Sequence, residues 1–256
     1  MREHFIIPDT QVKPGVALNH LTAAGNYIVD KRPDVIIHLG DHWDMESLSS
    51  YDRGTKKAEG RRYSEDITAG RKGMDTLMKP IVNLQRKQAR QKIKQYKPEM
   101  VFLLGNHEQR IERHVNANAE LDGAIGYKDF KLEKYGWDVA GFTEIRVIDG
   151  VHYSHYFYHP NTGRALAGVN LETRLNTLGF SFTMGHQQGL KTALKPLNNG
   201  NTLRGLVAGS FYQHDEDYKG PQGNNHWRGC VYKHEVRDGN YDIMELSMSY
   251  LLRQWT

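Results

Sequence analysis

The fold of this chain is decided by residues 35–44, which have the sequence VIIHLGDHWD. The first five residues are mostly apolar and rich in β-branched side chains, which is typical of a buried strand. The remaining five begin with a glycine and then supply two carboxylates and an imidazole. A buried strand that runs directly into polar groups predicts an α/β protein whose chemistry lies on loops at strand ends.

Two other stretches repeat this arrangement. Residues 5–7 and 101–104 are also short apolar runs, and polar side chains follow each of them. Apolar residues recur at helical spacing between the runs: Leu21, Ala24 and Ile28 in the first interval, and Met74, Leu77, Ile81 and Leu84 in the second. This alternation predicts parallel strands connected by helices. Pro80 is expected to start or kink the second helix, because proline cannot donate the interior hydrogen bond.

The C-terminal half predicts pairs of strands instead. Residues 145–148 and 151–154 are expected to form a hairpin around the turn Asp149-Gly150. Further strands are predicted at residues 180–184, 206–208, 230–236 and 242–248. Glycine- and asparagine-rich residues 198–201 and 220–225 are interpreted as loops. Together the patterns predict one domain over residues 1–256, with a β-sandwich or a layered α/β/α architecture.

The composition predicts a soluble globular protein. No apolar run approaches the roughly 18 residues of a membrane span, and residues 1–7 lack the features of a signal peptide. Cys230 is the only cysteine, which excludes an internal disulfide and a cysteine-based zinc site. We therefore expect a cytoplasmic protein that does not associate with a membrane.

The residues directly after the three N-terminal strands predict a metal site. These residues include Asp9 and Gln11 after the first strand, Asp41 and Asp44 after the second, and Asn106 and His107 after the third. Later predicted strands end at His155 and His186, and Gln188 follows shortly afterwards. Parallel neighbouring strands bring such groups together beyond their carboxyl ends. Carboxylates, amides and imidazoles suit Mn²⁺, Fe²⁺, Zn²⁺ and Mg²⁺, although a single Asp after a strand is more often a turn or helix cap.

The ordered series resembles the calcineurin-like metallophosphoesterase family. The pattern of that family is Asp-x-His, Gly-Asp-x-x-Asp, Gly-Asn-His-Asp/Glu, a lone His and then Gly-His-x-His. The matching positions run from Asp9 to Gln188, about two thirds of the chain. The resemblance implies a layered α/β/β/α sandwich, of the kind found in phage and bacterial members, and a pair of divalent metals. Mn²⁺ is the expected metal, with Mg²⁺, Fe²⁺, Zn²⁺ and Ni²⁺ as alternatives.

The resemblance also implies a role for each matching residue. Asp41 would bridge two metals, with Asn106, His155 and His186 completing one of them and Asp9, Gln11 and Gln188 holding the other. His107 would protonate the leaving oxygen, and Asp44 would orient its imidazole. A hydroxide held by both metals would be the nucleophile. Arg110 is a further candidate, because a guanidinium on the same helix face as His107 can hold a phosphate oxygen; an ordinary surface arginine is the alternative.

The chain departs from the family pattern at two positions. Gln11 and Gln188 stand where the family has histidine, and both would belong to the same metal. An amide oxygen is a neutral and weaker ligand than an imidazole, so we expect that metal to bind loosely and to be Mn²⁺ or Mg²⁺ rather than Zn²⁺. The alternative is a lost site, with one metal or no catalysis. His152 is the alternative to His155 if the strand ends sooner.

The substrate is predicted from charge and aromatic residues. The net charge is +4, and two basic clusters stand out, one at residues 86–97 and one at residues 53–62. The second is expected to be a mobile loop near the active site, whereas the first has a solvated helix face as its alternative. Aromatic residues predicted to lie in loops are Trp43, Tyr212, Tyr218 and Trp227. They could stack on bases, although aromatic residues in loops more often pack on the domain.

These features predict a metal-dependent phosphodiesterase whose substrate is nucleic acid, most specifically a DNA nuclease. One alternative is a phosphomonoesterase that acts on a phosphoprotein or a small metabolite. Another is a metal-binding or nucleic-acid-binding protein that has lost its chemistry.

Overall fold

The structure of the chain is a computed structural model that describes residues 1–166, 168, 170–216 and 219–256. It is a mixed α/β structure with two mixed β-sheets flanked by helices.

The first sheet has six strands in the order β11-β10-β1-β2-β3-β4. Their bounds are Arg2–Ile7 (β1), Val35–His38 (β2), Glu99–Leu103 (β3), Asp138–Ala140 (β4), Gly229–Arg237 (β10) and Asn240–Ser247 (β11). Strands β1 to β4 are parallel, and β10 and β11 extend the sheet in antiparallel fashion from β1. The parallel arrangement predicted for the three N-terminal strands is therefore confirmed.

The second sheet has five strands in the order β5-β6-β7-β9-β8. Their bounds are Arg146–Ile148 (β5), Val151–Ser154 (β6), Phe182–Met184 (β7), Leu190–Pro196 (β8) and Thr202–Ala208 (β9). Strands β6, β7 and β9 are parallel, whereas β5 and β8 run antiparallel at the two edges. The hairpin predicted around Asp149-Gly150 joins β5 to β6.

The helices in the described residues are Asn19–Lys31 (α1), Tyr63–Arg90 (α2), Arg110–Ala117 (α3), Leu171–Leu178 (α4), Gly220–Gly223 (α5) and Met248–Trp255 (α6). Short 3-10 helices are formed by Glu46–Leu48, Lys56–Ala58, Ala119–Leu121, Tyr127–Phe130 and Leu132–Tyr135. Within the described residues, no helix combines the length and the apolar character that a membrane crossing requires.

Alternation along the strands builds the hydrophobic layers. Ile6 and Ile37 belong to a core that also contains Tyr153 and Leu206, so this core lies between the two sheets. The neighbouring residue Phe5 points the other way, because successive side chains of a strand alternate between faces. The outer face of the first sheet packs against α1, α2 and α6, and that of the second sheet packs against α4.

Strands β4 and β8 escaped prediction. Strand β4 has only three residues, of which Ala140 alone is buried, so it carries no alternating pattern. Strand β8 is an edge strand whose lysines and terminal Pro196 suit an exposed edge rather than a buried run. Both were therefore invisible to a search for apolar runs.

Of the two predictions for Pro80, a helix start or a kink, the start is wrong, because α2 continues from Tyr63 to Arg90 through this residue. Pro80 packs against Gly25 of α1, whose missing side chain makes room for the ring and for the Leu77 carbonyl. Buried Met74, Leu77 and Ile81 anchor the helix on either side of the proline. Tertiary packing therefore outweighs the loss of one helical hydrogen bond.

Candidate metal centre and active site

The loops after β1 and β2 join directly beyond the strand ends. The backbone N–H groups of Thr10 and Gln11 donate to the Asp41 carbonyl at 3.1 and 2.9 Å, and Val12 N–H donates to the His42 carbonyl at 2.7 Å. Gln11 and Asp41 lie in the left-handed region, with φ of 38° and 49°. Such backbone strain in residues other than glycine clusters at functional sites, so this junction is a candidate site by its geometry alone.

Glu108 ties the third loop to the second. Its carboxylate is fully buried and accepts four backbone N–H bonds of 2.7 to 2.9 Å. The donors are Asp41, His42, Trp43 and Gly105. One side chain therefore sets the backbone on which Asp41 and the Asn106-His107 pair are carried. Glu108 occupies the last position of the family pattern Gly-Asn-His-Asp/Glu, for which no role was predicted.

The glycines of these loops allow the backbones to approach closely. A Cβ on Gly105 would lie 2.1 Å from Asp41 Oδ1, and one on Gly185 would lie 2.5 Å from Asp9 Oδ1. Gly40 has a φ of 94° and a Cβ there would meet the Leu103 carbonyl at 2.5 Å. Gly105 and Gly185 are thus required because a side chain at either position would collide with Asp41 or Asp9, the carboxylates that were predicted as ligands.

Replacing Gly105 with alanine should therefore displace Asp41 and lower the free energy of unfolding by about 1 to 3 kcal/mol, as overpacking does. Gly126→Ala is the matched control, because nothing lies within 4 Å of a Cβ at that position. The measurement is denaturant unfolding of both variants beside the wild type. Equal stability of the two variants would contradict the close approach at Gly105.

Four potential ligand residues converge at the centre of this junction. His155 Nδ1 donates to the Leu39 carbonyl at 2.7 Å, which directs Nε2 toward Asn106 Oδ1 at 2.9 Å and Asp41 Oδ2 at 3.4 Å. His186 Nδ1 lies 2.7 Å from the same Asn106 oxygen. Asp41, His155 and His186 offer atoms that lie within 4.8 Å of one another, so this group, in which Asp41 and His155 are buried and His186 is exposed, can hold a metal ion.

Electrostatics at this cluster favour a cation. Burial works to lower the pKa of His155, but the Asp41 carboxylate outweighs it and raises the pKa to about 9. Burial also works to raise the pKa of Asp41, but the imidazoles of His107 and His155 outweigh it and lower the pKa. Burial and the neighbouring His155 lower the pKa of His186 to about 4, which keeps this imidazole neutral as a ligand must be.

Asp9 and Gln11 contribute oxygens that have no partner among the described residues. Asp9 is fully buried and its Oδ1 accepts the His186 N–H at 3.1 Å, yet its Oδ2 is unpaired. The buried Gln11 Oε1 is unpaired as well. Burial, followed by the charge of Asp41, raises the pKa of Asp9 to about 7. A bound cation would satisfy both oxygens, so these residues fit a metal.

Gln188 is the predicted ligand with the weakest structural support. It is half-buried and follows His186, which has a φ of 63°. Among the described contacts, none links its side chain to Asp9 or Gln11.

The segment that carries His186 is held from α4. Arg174 is 2% exposed and donates from Nη2 to Gln187 Oε1 at 2.8 Å and to the Gly168 carbonyl. The Gln187 N–H in turn donates to the Gly185 carbonyl at 2.7 Å. This contact fixes the turn around His186, and the sequence analysis did not anticipate it.

His107 and Asp44 form the predicted pair. His107 Nδ1 donates to Asp44 Oδ1 at 2.8 Å, while Nε2 lies 3.8 Å from Asp41 Oδ2. Burial opposes ionisation of Asp44, but His107, Lys13 and Arg110 lower its pKa to about 2. Burial also works against charge on His107, but the carboxylates of Asp41 and Asp44 raise its pKa. The carboxylate of Asp44 is therefore charged, and the His107 imidazole can carry a proton beside the metal cluster.

Arg110 lies beside His107, as its spacing predicted. Its Nη2 is 3.2 Å from His107 Nε2, and its Nη1 donates to the Asp44 carbonyl at 2.7 Å and to the Met45 carbonyl at 3.3 Å. The helix begins at Arg110 itself rather than directly after Asn106. The guanidinium thus stabilises the Asp44 loop by donating to its carbonyls, and it lies next to His107 Nε2.

A second ionic cluster, missed by the sequence analysis, borders the first. Lys13 Nζ lies 3.4 Å from Asp44 Oδ2, 3.0 Å from Glu46 Oε1 and 3.2 Å from Glu216 Oε1. His214 Nε2 lies 2.8 Å from the same Glu216 oxygen. Asp44, His214 and Glu216 also have the spacing of metal ligands, but the Lys13 ammonium already supplies a positive charge to their carboxylates.

A cleft of about 610 Å³ opens beside His107. Its lining includes Lys13 and Arg110, together with Tyr51, Lys57 and Arg61 of the loop that was predicted to be basic. The basic residues predicted at 53–62 therefore reach the site through Lys57 and Arg61, although Arg61 is paired with Asp52 at 2.6 Å.

The basic cluster at residues 86–97 lies elsewhere. Asp66, at the start of α2, contacts the site loop through Ser47 N–H at 2.9 Å. Arg86 comes 20 residues later in the same helix, a distance of about 30 Å at 1.5 Å per residue. Tyr96 O–H donates to the Pro33 carbonyl, just before β2 begins. This cluster thus lies at the edge of the sheet opposite the site, in agreement with its solvated-face alternative.

Histidines outside the cluster have other roles. His152 stacks on Phe180 with ring centroids 3.8 Å apart, whereas β6 ends at Ser154 and delivers His155 to the cluster. His42 Nε2 donates to the Gly70 carbonyl at 2.9 Å, and its Nδ1 accepts from Thr10 Oγ1 at 2.7 Å. The buried His42 therefore supports the loop between Asp9 and Gln11 rather than facing the metal ligands.

Trp43 and Tyr212 are not available for base stacking, because both side chains are fully buried, which confirms the alternative that they pack on the domain. Trp43 stacks on Phe130 with centroids 4.2 Å apart. Trp227 is partly buried against the core between the sheets, and Tyr218 lies outside the described residues. Loop position in the sequence did not indicate exposure, since these aromatic rings fill the domain interior.

Comparisons with known proteins add little to this geometry. No family model matches the sequence, and no curated protein matches it. Among the solved structures to which the chain is similar is a crystal structure with 10% sequence identity and a TM-score of 0.41, over 96% of this chain and 99% of that chain. The name of that structure states no activity, and a similarity at this level supports no conclusion about function.

Proposed function

We propose that this chain is a metal-dependent phosphodiesterase of the calcineurin-like type. The observation that carries the proposal is a group of potential ligand atoms beside the His107–Asp44 pair, some unpaired and some sharing one partner. These atoms belong to Asp9, Gln11, Asp41, Asn106, His155 and His186. The two mixed sheets flanked by helices are consistent with the layered α/β/β/α sandwich that this family would require.

In this proposal Asp41, Asn106, His155 and His186 hold one divalent metal, and Asp9, Gln11, Gln188 and Asp41 hold another, with Mn²⁺ the expected ion. Bound metals would polarise the phosphoryl oxygens and lower the pKa of a water molecule between them. The two glutamines are neutral ligands, so the second metal should bind more weakly than the first. Measuring bound Mn²⁺ per chain during a titration tests the number of sites.

The residues of the chain would supply the proton and the orientation. Asp44 fixes the His107 imidazole through Nδ1, which leaves Nε2 to deliver a proton to the leaving oxygen. Arg110 Nη2, at 3.2 Å from His107 Nε2, can bind a non-bridging phosphate oxygen at the same place. Lys13, which is also paired with Glu216, lies 3.4 Å from Asp44 Oδ2 and so favours the orientation in which Asp44 Oδ1 accepts from His107.

Nucleic acid, and DNA in particular, stays the proposed substrate. Lys57 and Arg61 of the cleft loop support it, whereas the cluster at residues 86–97 is too far from the site to contribute. The second candidate, a phosphomonoesterase for a small metabolite, is favoured by the carboxylates of the cleft wall. These carboxylates, Glu46, Asp52 and Glu216 among them, would repel a polyanion.

The test is hydrolysis by metal-free protein supplied separately with Mn²⁺, Mg²⁺ or Zn²⁺. An aryl phosphodiester, its monoester and labelled single- and double-stranded DNA are the substrates. We expect Mn²⁺-dependent diester hydrolysis that His107→Ala lowers by about 100-fold or more. His114→Ala is the control, because this histidine lies on α3 outside the cluster.

Each other outcome has a definite meaning. Faster cleavage of the monoester than of the diester would favour the phosphomonoesterase. If the aryl diester is cut and DNA is not, the protein is a phosphodiesterase but not a DNA nuclease. Metal binding without hydrolysis of any ester would contradict the proposed catalytic activity. The protein would then be a metal-binding protein that has lost its chemistry.

A further inference from the structure

The segment directly after His155 places aromatic side chains next to the metal cluster. Residues 157–166 form a tight hairpin, in which the Leu166 N–H donates to the Phe157 carbonyl and the His159 N–H donates to the Arg164 carbonyl, both at 2.8 Å. Phe157 is buried in the core of the second sheet. Tyr158 pairs across this hairpin with Ala165, and its side chain is exposed. Tyr156 is partly buried, and its ring contacts both this core and the His186 ring.

Tyr156 connects the metal cluster to Tyr158 through ring contacts. Its ring centroid is 4.9 Å from that of His186 and 5.8 Å from that of His155. The Tyr158 ring lies 5.4 Å away on the other side of Tyr156, and the two hydroxyl oxygens are 3.2 Å apart. Tyr156 is thereby held in place from both sides.

Tyr158 is exposed although its neighbours fix it. Its exposed fraction is 42%, whereas Phe157 is 3% exposed. An aromatic ring that is oriented by a second ring and left open to solvent has an available face for another planar group.

A positive charge lies at the same side of the cluster. Arg113 is exposed on α3, and its Nη2 donates to the Asn106 carbonyl at 3.3 Å. Aromatic faces combined with an arginine next to a phosphate site form the usual means of holding unpaired nucleotides, in which bases stack and the guanidinium contacts the backbone. The cleft beside His107 lies on the leaving-group side, so these residues would face the group that stays on phosphorus.

We propose that Tyr158, oriented by Tyr156, is a stacking platform for an unpaired nucleobase on the retained side of the phosphodiester, with Arg113 beside Asn106 as the nearby positive charge. This inference rests on the proposed phosphodiesterase function and narrows its substrate to esters that carry a nucleoside there. The base can belong to a dinucleotide or to a longer single strand, since both present the same chemistry to the platform.

The experiment compares two substrates with the same leaving group. Thymidine 5′-(4-nitrophenyl phosphate) retains a nucleoside after cleavage, whereas methyl 4-nitrophenyl phosphate retains only a methyl group. We expect Tyr158→Ala to lower kcat/KM for the thymidine ester by about 5- to 100-fold and to leave the methyl ester within about 2-fold, because stacking on one base is lost. Tyr158→Phe should retain the activity on both esters, since it keeps the ring.

Tyr250→Ala is the matched control, because Tyr250 has a similar exposed fraction of 38% but lies on α6, behind the first sheet. An equal loss on both esters in Tyr158→Ala would overturn the platform and leave Tyr158 as a support of the metal residues. No loss on either ester would overturn it as well.

Binding keeps the platform testable if the wild type hydrolyses no ester. Fluorescence titration with an oligothymidylate of eight residues and with a thymidine dinucleotide should then give weaker binding to Tyr158→Ala than to Tyr250→Ala. Affinity that rises with length would identify a single strand as the ligand, and equal affinity would identify a dinucleotide; equal binding to both variants would overturn the proposal.

Discussion

Replacing Asp41 with asparagine is expected to weaken Mn²⁺ binding by about 100-fold or more, since loss of even an outer-shell partner costs about 10- to 100-fold. Asparagine preserves the size of the side chain and tolerates the left-handed backbone at this position, where φ is 49°. Its Oδ1 can still accept the His107 N–H, which the carboxylate accepts at 2.9 Å. The fold should therefore survive the change.

Metal binding, in contrast, is expected to be lost in Asp41→Asn. Asp41 Oδ2 lies 3.4 Å from His155 Nε2 and 3.8 Å from His107 Nε2. An amide group would place N–H donors where a cation must lie, and the cluster would keep Asp9 as its only carboxylate besides the paired Glu108. Loss of both charge and acceptor explains the expected size of the effect.

The measurement is isothermal titration with Mn²⁺, together with the rise in unfolding temperature that a bound metal produces. Asp122→Asn is the control, because it makes the same charge change at an exposed position. If both variants bound Mn²⁺ with wild-type affinity, Asp41 would not be a ligand.

Glu108→Gln is expected to lower the free energy of unfolding by about 2 to 6 kcal/mol, because each unsatisfied buried donor costs about 1 to 3 kcal/mol. Each carboxylate oxygen of Glu108 accepts two backbone N–H groups. An amide has only one acceptor oxygen, so either orientation would turn its NH₂ group toward two N–H donors. The loops that carry Asp41 and His107 would lose their common support.

Denaturant unfolding of the metal-free protein checks this prediction without any assumption about activity. Glu133→Gln serves as the control, since that side chain is exposed. A stability within about 0.5 kcal/mol of the control would mean that the four hydrogen bonds contribute little, as is usual only for surface substitutions.

Much of the candidate site could be predicted because its information is local in sequence. The strands around Ile6, Ile37 and Leu103 are marked by apolar runs, and helical spacing between them predicts parallel pairing. Parallel strands necessarily end at one edge, so the groups after them were expected to meet. Among the described contacts, none brings the Gln188 side chain to the other predicted residues, and Gln11 meets them through its backbone N–H.

Other features depended on partners far apart in sequence. Lys13 and Glu216 meet across 203 positions, and Arg174 reaches Gln187 from another helix. Trp43 was predicted to lie in a loop, but the loop position did not indicate that its ring fills the space that Gly70 leaves open on α2. None of these contacts has a periodic or motif signal, because each exists only once the layers are packed.

By itself, the sequence determined which strands are buried, that they run in parallel, and which polar groups stand at their ends. Tertiary structure alone decided which of those groups keep unpaired atoms and which are neutralised by a distant partner, as Asp44 is by Lys13. The physical reason is that apolar periodicity follows from backbone geometry within one element. Hydrogen bonding and charge compensation of buried groups instead follow from the packing of several elements around them.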